Sequence, residues 1–481
     1  MYSSYKQLIT IFLFTACFSM SACKKWDDHN QINNQDLSLN LQHAIDADDN
    51  LSTFRELITK TGLDTLLRSS KNYTVWAPTN TALQNLDPAI VNDISRLTTF
   101  VKNHIASQAY FTREAVTGTR IPVLSGKYNG FEKNTFDEAT ITAADRFVSN
   151  GVLHIIDKPV PALQSIWEYI NSTTTTYQQH AYIVSTNRVE RDLSQAVIDS
   201  VNPITGDPIY RPGTGYINRN AFNEIAYDVK KEDKLYTYFV ITDDNFNVEA
   251  DSLKPYFKHP AAAVTDSLSK LHLVKDLVVE GLYQPNALPA SLLSRNGTPV
   301  PLNASNIIST KKLSNGIAYV MSNINVLTVD KFRQRIIEGE FPSGYHSDKT
   351  GNTNKRIRYD TINKRTYADL MITGHGVSAY YAFYRLNNSP SMKYQVYALG
   401  VNDFQAGTFN QNIVVKSLNE GTYTTLATLA HAVPLSTAAG AFNEKLLGEF
   451  TAPGYGTIEV QLTASGTNPL VLDYLRFVPV P

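Results

Sequence analysis

The chain has 481 residues, 43% of them hydrophobic and 18% charged, with a formal net charge of −1. That balance fills ordinary globular cores over about three domains, and it supplies no basic surface for nucleic acid or for an anionic membrane. The two cysteines, Cys17 and Cys23, leave no framework of internal disulfides, so stability has to come from packed cores.

Lys6 precedes an apolar run from Leu8 to Phe18 that is too short to span a bilayer and gives way to small residues, the pattern of a secretory signal over 1–22. Met20-Ser21-Ala22-Cys23 resembles the cleavage box of bacterial lipoproteins. The resemblance implies that Cys23 carries lipid and holds the chain on the outer membrane, where acyl chains contribute about 0.8 kcal/mol per buried CH2. Lys24-Lys25-Trp26-Asp27-Asp28 and the Asn/Gln-rich residues after it read as a flexible tether over 23–38. Its acidic residues are similar to the signals that send lipoproteins of Bacteroidetes-type bacteria to the cell surface, so the expected location is the outer membrane, facing the exterior.

Asp46-Ala47-Asp48-Asp49-Asn50 opens like a calcium loop, but Leu51 stands where such a loop needs glycine and Leu57 where it needs a bidentate glutamate. An acid-rich helix start explains it better. Leu51, Phe54, Leu57 and Ile58 recur at helical spacing until Gly62. Asn72-Tyr73-Thr74-Val75-Trp76-Ala77-Pro78-Thr79-Asn80 reads as a buried strand that stops at a proline and passes through a Thr/Asn cap into a helix. Asp87-Pro88 starts another helix, and Ile90, Val91, Ile94, Leu97, Val101 and Ile105 form one apolar stripe expected to pack on a sheet built from the Tyr73 and Val152 strands.

The buried strand has a looser copy, Thr237-Tyr238-Phe239-Val240-Ile241-Thr242-Asp243. Each copy has a later partner at nearly the same spacing: Ser149-Asn150-Gly151-Val152-Leu153-His154-Ile155-Ile156-Asp157 and Ser314-Asn315-Gly316-Ile317-Ala318-Tyr319-Val320-Met321. Two diverged copies of one domain follow, over 39–162 and 163–332.

These boxes resemble those of the fasciclin family, carried here by Thr74, Pro78, Thr79, Asn80, Asn150, Gly151 and His154, with His104 in the family's Tyr-His element, where Asn103 replaces the tyrosine. The second copy has Ile241 for Pro78, Leu277 for His104 and Tyr319 for His154, and is fasciclin-like. The resemblance implies two α+β domains in which the box residues are structural. For His104 and His154 a ligand or base is weighed against a hydrogen-bonded core histidine, and the absence of a second His or carboxylate at ligand spacing favours the core. Trp76 and Trp167 read as packing residues.

In the second copy the run from Ile166 to Ile198 reads as helical in parts. The Pro/Gly-rich stretch around 201–220 then has to lie on the surface, where its backbone can be hydrated. Two readings stand: a partner-binding loop with Tyr210 and Tyr216 as contacts, or a neutral insertion.

From about Arg356 the chain alternates in short strands separated by Gly, Asn and Ser turns, so 338–481 is expected to be an all-β sandwich of jelly-roll type. Leu472-Asp473-Tyr474-Leu475-Arg476-Phe477-Val478-Pro479 resembles the closing strand of galactose-binding-like modules, many of which bind carbohydrate. Tyr380-Tyr381-Ala382-Phe383-Tyr384 puts aromatics on both faces of one strand. Tyr380 and Tyr384 are candidate ligand or partner contacts, with filling beneath a neighbouring loop as the alternative. His346 to Asn352 reads as a surface loop.

No Gly-x-Ser-x-Gly elbow, His-Glu-x-x-His helix, phosphate-cradling glycine loop or paired-cysteine spacing occurs. The expectation is a non-catalytic lipoprotein without cofactor or metal that mediates binding or adhesion. Its partners would be outer-membrane lipid through Cys23 and a protein at the cell surface. The alternative is a glycan-binding accessory to an outer-membrane uptake complex. A hydrolase of unrecognised type has no motif behind it.

Overall fold

The computed structural model describes residues 35–481 except Thr361 and Glu420, and divides into a unit ending at Gln164 and a unit Ser165–Pro481. The signal, Cys23 and most of the tether lie outside the described residues.

In the first unit α1 (Leu41–Asp46) and α2 (Ser52–Lys60) precede β1 (Tyr73–Pro78), and α3 (Ile94–Lys102) leads into β2 (Ile105–Ala106). β3 (Arg120–Pro122), β4 (Tyr128–Glu132), β5 (Thr135–Phe136), β6 (Ala139–Val148) and β7 (Gly151–Ile156) follow. Among the described residues they join in the order β2-β1-β7-β6-β5-β4-β3. β1 runs parallel to β7, with Tyr73 opposite Gly151 and Pro78 opposite Ile156, and all six of its residues are buried.

Alternation along β1 explains its unbroken apolar run. Tyr73, Val75 and Ala77 join the helical core with Phe54, Leu97, Phe100 and Leu153, while Trp76 points to a second core of Phe131, Phe136 and Ile156. Trp76 stacks on Phe136 at 4.3 Å between ring centroids, a contact worth about 0.5–1.5 kcal/mol beyond its area. The parallel pair can close only on glycine at the start of β7. A Cβ on Gly151, at φ +152°, would sit 1.8 Å from the Tyr73 carbonyl oxygen.

The stripe expected from Ile90 to Ile105 is broken at Asp93. Its carboxylate accepts from the Ser95 and Arg96 amides and starts α3 afresh, leaving Ile94 56% exposed. Asp48 accepts from the Asn50 amide and caps a short 3-10 turn, so the acid-rich stretch is used as a helix start.

The second unit opens with α4 (Ile166–Ser172) and α5 (Gln178–Ser185), then β8 (Asn187–Arg191), β9 (Ile198–Val201), β10 (Pro208–Tyr210) and β11 (Tyr216–Asn220). The helical reading of this stretch therefore holds only to Ser185. The surface excursion starts at Asn187, and it is a β-ribbon rather than a loop. β12 (Tyr236–Ile241), α6 (Asp243–Leu253), α7 (Ala262–Val274), β13 (Val278–Glu280), β14 (Ser291–Leu293), β15 (Pro299–Pro301), β16 (Ile307–Leu313) and β17 (Gly316–Met321) complete the repeat, with sheet order β13-β12-β17-β16. β12 is parallel to β17 with Tyr236 opposite Gly316, the register of β1 on β7.

The all-β part comprises β18 (Arg335–Glu338), β19 (Gly344–Tyr345), β20 (Thr353–Asp360), β21 (Arg365–Ile372), β22 (Tyr381–Ser389) and β23 (Lys393–Leu399). β24 (Phe409–Asn419), β25 (Thr422–Val433), β26 (Lys445–Thr451), β27 (Gly456–Ala464), β28 (Leu470–Leu472) and β29 (Tyr474–Val480) close it. Two antiparallel sheets, β18-β29-β23-β26 and β19-β22-β27-β24-β25, enclose a core of Val396, Phe450, Val460, Leu462 and Phe477, and β20-β21-β28 forms a third sheet.

The sandwich is sewn to the second repeat. Ser391 donates from Oγ to the Pro255 carbonyl (2.9 Å) and from its amide to Tyr256 (2.8 Å), and Tyr455 donates to the Lys258 carbonyl (2.7 Å). Phe257 packs against Tyr455 with ring centroids 5.5 Å apart.

Candidate binding surfaces

The box residues of the first repeat are consumed in holding the sheet. Thr74 Oγ1 donates to the Gln108 carbonyl (2.7 Å) and accepts from the Tyr110 amide (2.8 Å), tying β1 to the chain beyond β2. Pro78 ends β1, Thr79 caps the next turn through the Ala82 amide (3.2 Å), and Asn80 accepts from the Thr53 amide (2.8 Å) while donating to the Asp49 carbonyl (2.8 Å). Asn150 Oδ1 accepts from the Leu41 amide, and its Nδ2 donates to the Leu67 and Ser69 carbonyls.

His104 is fully buried. The Val160 amide donates to its Nε2 at 3.0 Å, which fixes the proton on Nδ1, donated in turn to the Phe100 carbonyl at 2.9 Å. Burial holds its pKa down at about 4, against the smaller upward pull of the Phe100 bond. His154, also buried, accepts from the Asp145 amide at Nδ1 (3.2 Å) and donates from Nε2 to the Tyr110 carbonyl (3.0 Å). Desolvation lowers its pKa too, against smaller upward pulls from the Tyr110 bond and Asp145. Both lone pairs are committed, so neither ring is placed to act as a base or ligand.

The second repeat reproduces this wiring with different side chains. Thr237 donates to Gly281 (2.9 Å) and accepts from Tyr283 (3.0 Å). Asn315 accepts from the Ile166 amide and donates to Val229 and Lys231. Tyr319, standing for His154, sends its hydroxyl to the Tyr283 carbonyl at 2.7 Å, the counterpart of His154 on Tyr110. Leu277 stands for His104: its carbonyl accepts from Phe239, as that of His104 does from Trp76.

Tyr380 and Tyr384 are not surface contacts. They are 0% and 2% exposed, and their hydroxyls donate to the Ser347 (3.0 Å) and Gly339 (2.7 Å) carbonyls. Alternation puts Tyr380, Ala382, Tyr384 and Leu386 on the core face and Arg385 outside. That parity was available in the sequence, since Leu386 and Arg385 already mark the two faces. Tyr216 is 58% exposed and Tyr210 half-buried, both on the ribbon.

Two features had no motif to announce them. On the β20/β21 hairpin Arg356 makes a two-pronged pair with Asp369 (2.8 and 2.5 Å) and reaches Asp403 at 2.9 Å, where Arg358 also binds. The Arg356 guanidinium lies 5.7 Å from the Phe404 ring centre, and Tyr367 meets Phe442 edge-on at 6.3 Å. Carboxylate, guanidinium and aromatic edges thus converge on one partly exposed face.

Nearby, Asp473 is 4% exposed. Its Oδ2 lies 3.5 Å from Arg365 without a hydrogen bond among the described residues. Burial, with Glu338, Asp369 and Glu340 adding to it against Arg365, pushes its pKa up to about 7. Among the described residues no group of three or more His, Cys, Asp or Glu side chains is placed to hold a metal ion.

Residues 49–161 match the family model described as the Fasciclin domain. A stretch of 128 residues is 29% identical to transforming growth factor-beta-induced protein ig-h3 of Sus scrofa, covering 25% of this chain and 19% of that protein. The Oryctolagus cuniculus protein of the same name is 30% identical with the same coverage, so the chain spans about a fifth of the length of these relatives. A Synechocystis sp. protein, sll1735, is 28% identical over 126 residues, 24% of this chain and 91% of that one. Among solved structures, the FAS1 domain pair of the insect cell adhesion molecule Fasciclin I covers 59% of this chain and 99% of its own, at 17% identity and TM-score 0.22. A family 35 carbohydrate binding module from Clostridium thermocellum covers 31% and 100%, at 13% identity and TM-score 0.22.

The protein is therefore multidomain, with a fasciclin domain over 49–161 and an all-β C-terminal part.

Proposed function

We propose that this is a cell-surface lipoprotein, held in the outer membrane by acylated Cys23 and facing the exterior, that works by binding or adhesion to a surface protein rather than by catalysis. The observation that carries the reading is the fasciclin domain at 49–161, whose box residues are spent on internal hydrogen bonds. Contact with partners then falls to surfaces outside the boxes, Tyr216 and Tyr210 among them.

A second reading, glycan binding beside an outer-membrane uptake complex, is favoured by the Arg356, Arg358, Asp403, Tyr367 and Phe404 face. Guanidinium and carboxylate groups suit vicinal hydroxyls, and aromatic rings suit sugar C–H faces.

The test immobilises residues 24–481 and challenges them with solubilised outer-membrane protein and a polysaccharide panel. Retention of a surface protein supports the first reading. Retention of a polysaccharide that weakens in Arg358→Ala and Tyr367→Ala selects the second, and chemical conversion of a retained substrate sinks both. Incorporation of a palmitate analogue that survives Cys23→Ala would remove the anchor.

A further inference from the structure

The β20/β21 hairpin outruns the sandwich. β28 pairs with β21 only from Leu370 to Ile372, so from Ala368 outward β20 and β21 continue as a two-stranded arm, with Ile357 opposite Ala368 and Tyr359 opposite Thr366. Alternation gives the arm two faces. One looks back at the sandwich, where Arg356 and Arg358 reach Asp403 and Tyr367 meets Phe442 edge-on. The other carries Lys355, Ile357 and Tyr359, and the Lys355 ammonium sits 5.3 Å from the Phe341 ring centre.

A solvent-facing strand ordinarily presents polar side chains. Here Ile357 is 83% and Tyr359 58% exposed, with Phe341 at 68% and Ile362, in the turn, at 62%. Asp360 points inward, its carboxylate accepting from the amides of Ile362 and Asn363 and from the Asn363 side chain, and the chain that wraps it leaves Ile362 outside.

Charge selects the occupant. The whole chain is nearly neutral, but residues 353–366 hold five cations and one carboxylate, the buried Asp360. The overall balance therefore hides a local basic surface. Arg356, Arg358 and Arg365 pair with aspartates, whereas Lys355 and Lys364 are exposed and in no ion pair among the described residues.

Shape narrows the choice further. Sugar and peptide sites are pockets and grooves, but these side chains stand out from a projecting arm and alternate with cations. That pattern matches a lipid interface: acyl chains take up isoleucine and phenylalanine, a tyrosine ring sits at headgroup level, and lysine stems snorkel to phosphate.

We propose that this arm docks the sandwich on an anionic lipid surface, with Phe341, Ile357, Tyr359 and Ile362 entering the interface and Lys355 and Lys364 meeting lipid phosphates. The inference does not rest on the Cys23 anchor. An anchored chain would meet its lipid at high effective concentration, but the arm acts without acylation.

The test is flotation of residues 24–481, which lack Cys23, with vesicles of phosphatidylcholine alone or with about a third phosphatidylglycerol. The chain should float with the anionic vesicles, about tenfold less with neutral ones, and be released as salt rises from about 50 to 300 mM. Ile357→Ser with Ile362→Ser, and separately Lys355→Glu with Lys364→Glu, should each weaken binding about tenfold or more. An unchanged Tm in both would show that the fold is intact, as expected for exposed positions. Ile362→Trp should add a fluorescence component that shifts to the blue on anionic vesicles. No flotation with anionic vesicles, or flotation that both double variants retain, overturns the proposal. Binding lost in the lysine variant but kept in the isoleucine variant would make the contact purely electrostatic and overturn insertion. A soluble protein or polysaccharide retained through these residues without vesicle binding assigns the face to that ligand instead.

Discussion

Asn150 accepts a hydrogen bond from the Leu41 amide at 2.8 Å, across 109 residues of chain, and in the second repeat Asn315 takes the Ile166 amide at the same distance. Each asparagine thereby joins the first helix of its repeat to the turn that starts the central parallel pair. The two Nδ2 protons hold the chain just before the first central strand, at Leu67 and Ser69 or at Val229 and Lys231. Asn150→Ala strands one buried amide and two carbonyls, so about 3 kcal/mol of the first unit's stability should be lost. Asn150→Asp keeps the acceptor and loses both donors, and should be no better. Hydrogen exchange read separately in β1 and β12 checks this: Asn150→Ala should loosen β1 and leave β12 unchanged, and Asn315→Ala should do the reverse.

His104 makes the first repeat sensitive to acid. Its pKa in the fold, about 4, lies below the ordinary value near 6.5, so the fold prefers the neutral ring. The stabilisation is complete above pH 6.5 and is lost as pH falls towards 4, at up to about 1.4 kcal/mol per pH unit. His104→Leu, the residue found at the matching position of the second repeat, should flatten that slope. It should also lower stability at pH 7.5, because the Val160 amide and Phe100 carbonyl lose their partner. Urea unfolding of residues 35–164 from pH 4 to 7.5 measures both effects, and an unchanged slope in the variant would contradict the assignment.

The boxes could be read from sequence because each does its work by local geometry or by a pairing whose spacing recurs: a threonine cap, a proline stop, a glycine under a carbonyl. Core placement of His104 and His154 followed from the apolar residues around them. For Tyr380 and Tyr384 the fold realises the filling alternative and not the contact reading, a choice that Arg385 on the outward face already favours. The ribbon could not be recognised, because its strands are short, exposed on both faces and interrupted by Pro203, Pro208 and Pro212, so no period-two pattern of burial marks them. The Arg356–Asp369 pair depends on hairpin register, and the join of sandwich to second repeat depends on Ser391, a residue with no pattern around it.

Lys331 and Asp276 form a buried ion pair at 3.0 Å, their side chains 2% and 0% exposed, with Ser294 Oγ donating to Asp276 at 2.7 Å and Lys331 donating to the His272 carbonyl at 3.2 Å. Removing one member leaves the other charge buried without compensation, so Lys331→Met should cost about 3–5 kcal/mol. Adding Asp276→Asn should recover much of that loss, since the amide still accepts from Ser294 and no charge remains. Denaturant midpoints of the two single variants and the double close the cycle, and simple additivity would show that the pair is not coupled.

Asp473 has the opposite pH signature from His104. Its pKa in the fold, about 7, lies above the ordinary aspartate value near 3.9, so the fold prefers the protonated acid. Its stabilising contribution is complete below pH 3.9 and lost as pH rises through 7, because ionisation puts a charge on a side chain that is 5% exposed and has Arg365 only at 3.5 Å. Asp473→Asn keeps the shape and abolishes the titration. It should raise the stability of the second unit by about 1–2 kcal/mol at pH 8 and change it little at pH 4. Arg365→Gln should act in the other direction, removing the one cation that opposes the shift and pushing the pKa higher still. Thermal unfolding of residues 165–481 from pH 4 to 8 checks both. A gain in Asp473→Asn that is the same at every pH would mean that the substitution relieves packing and not charge.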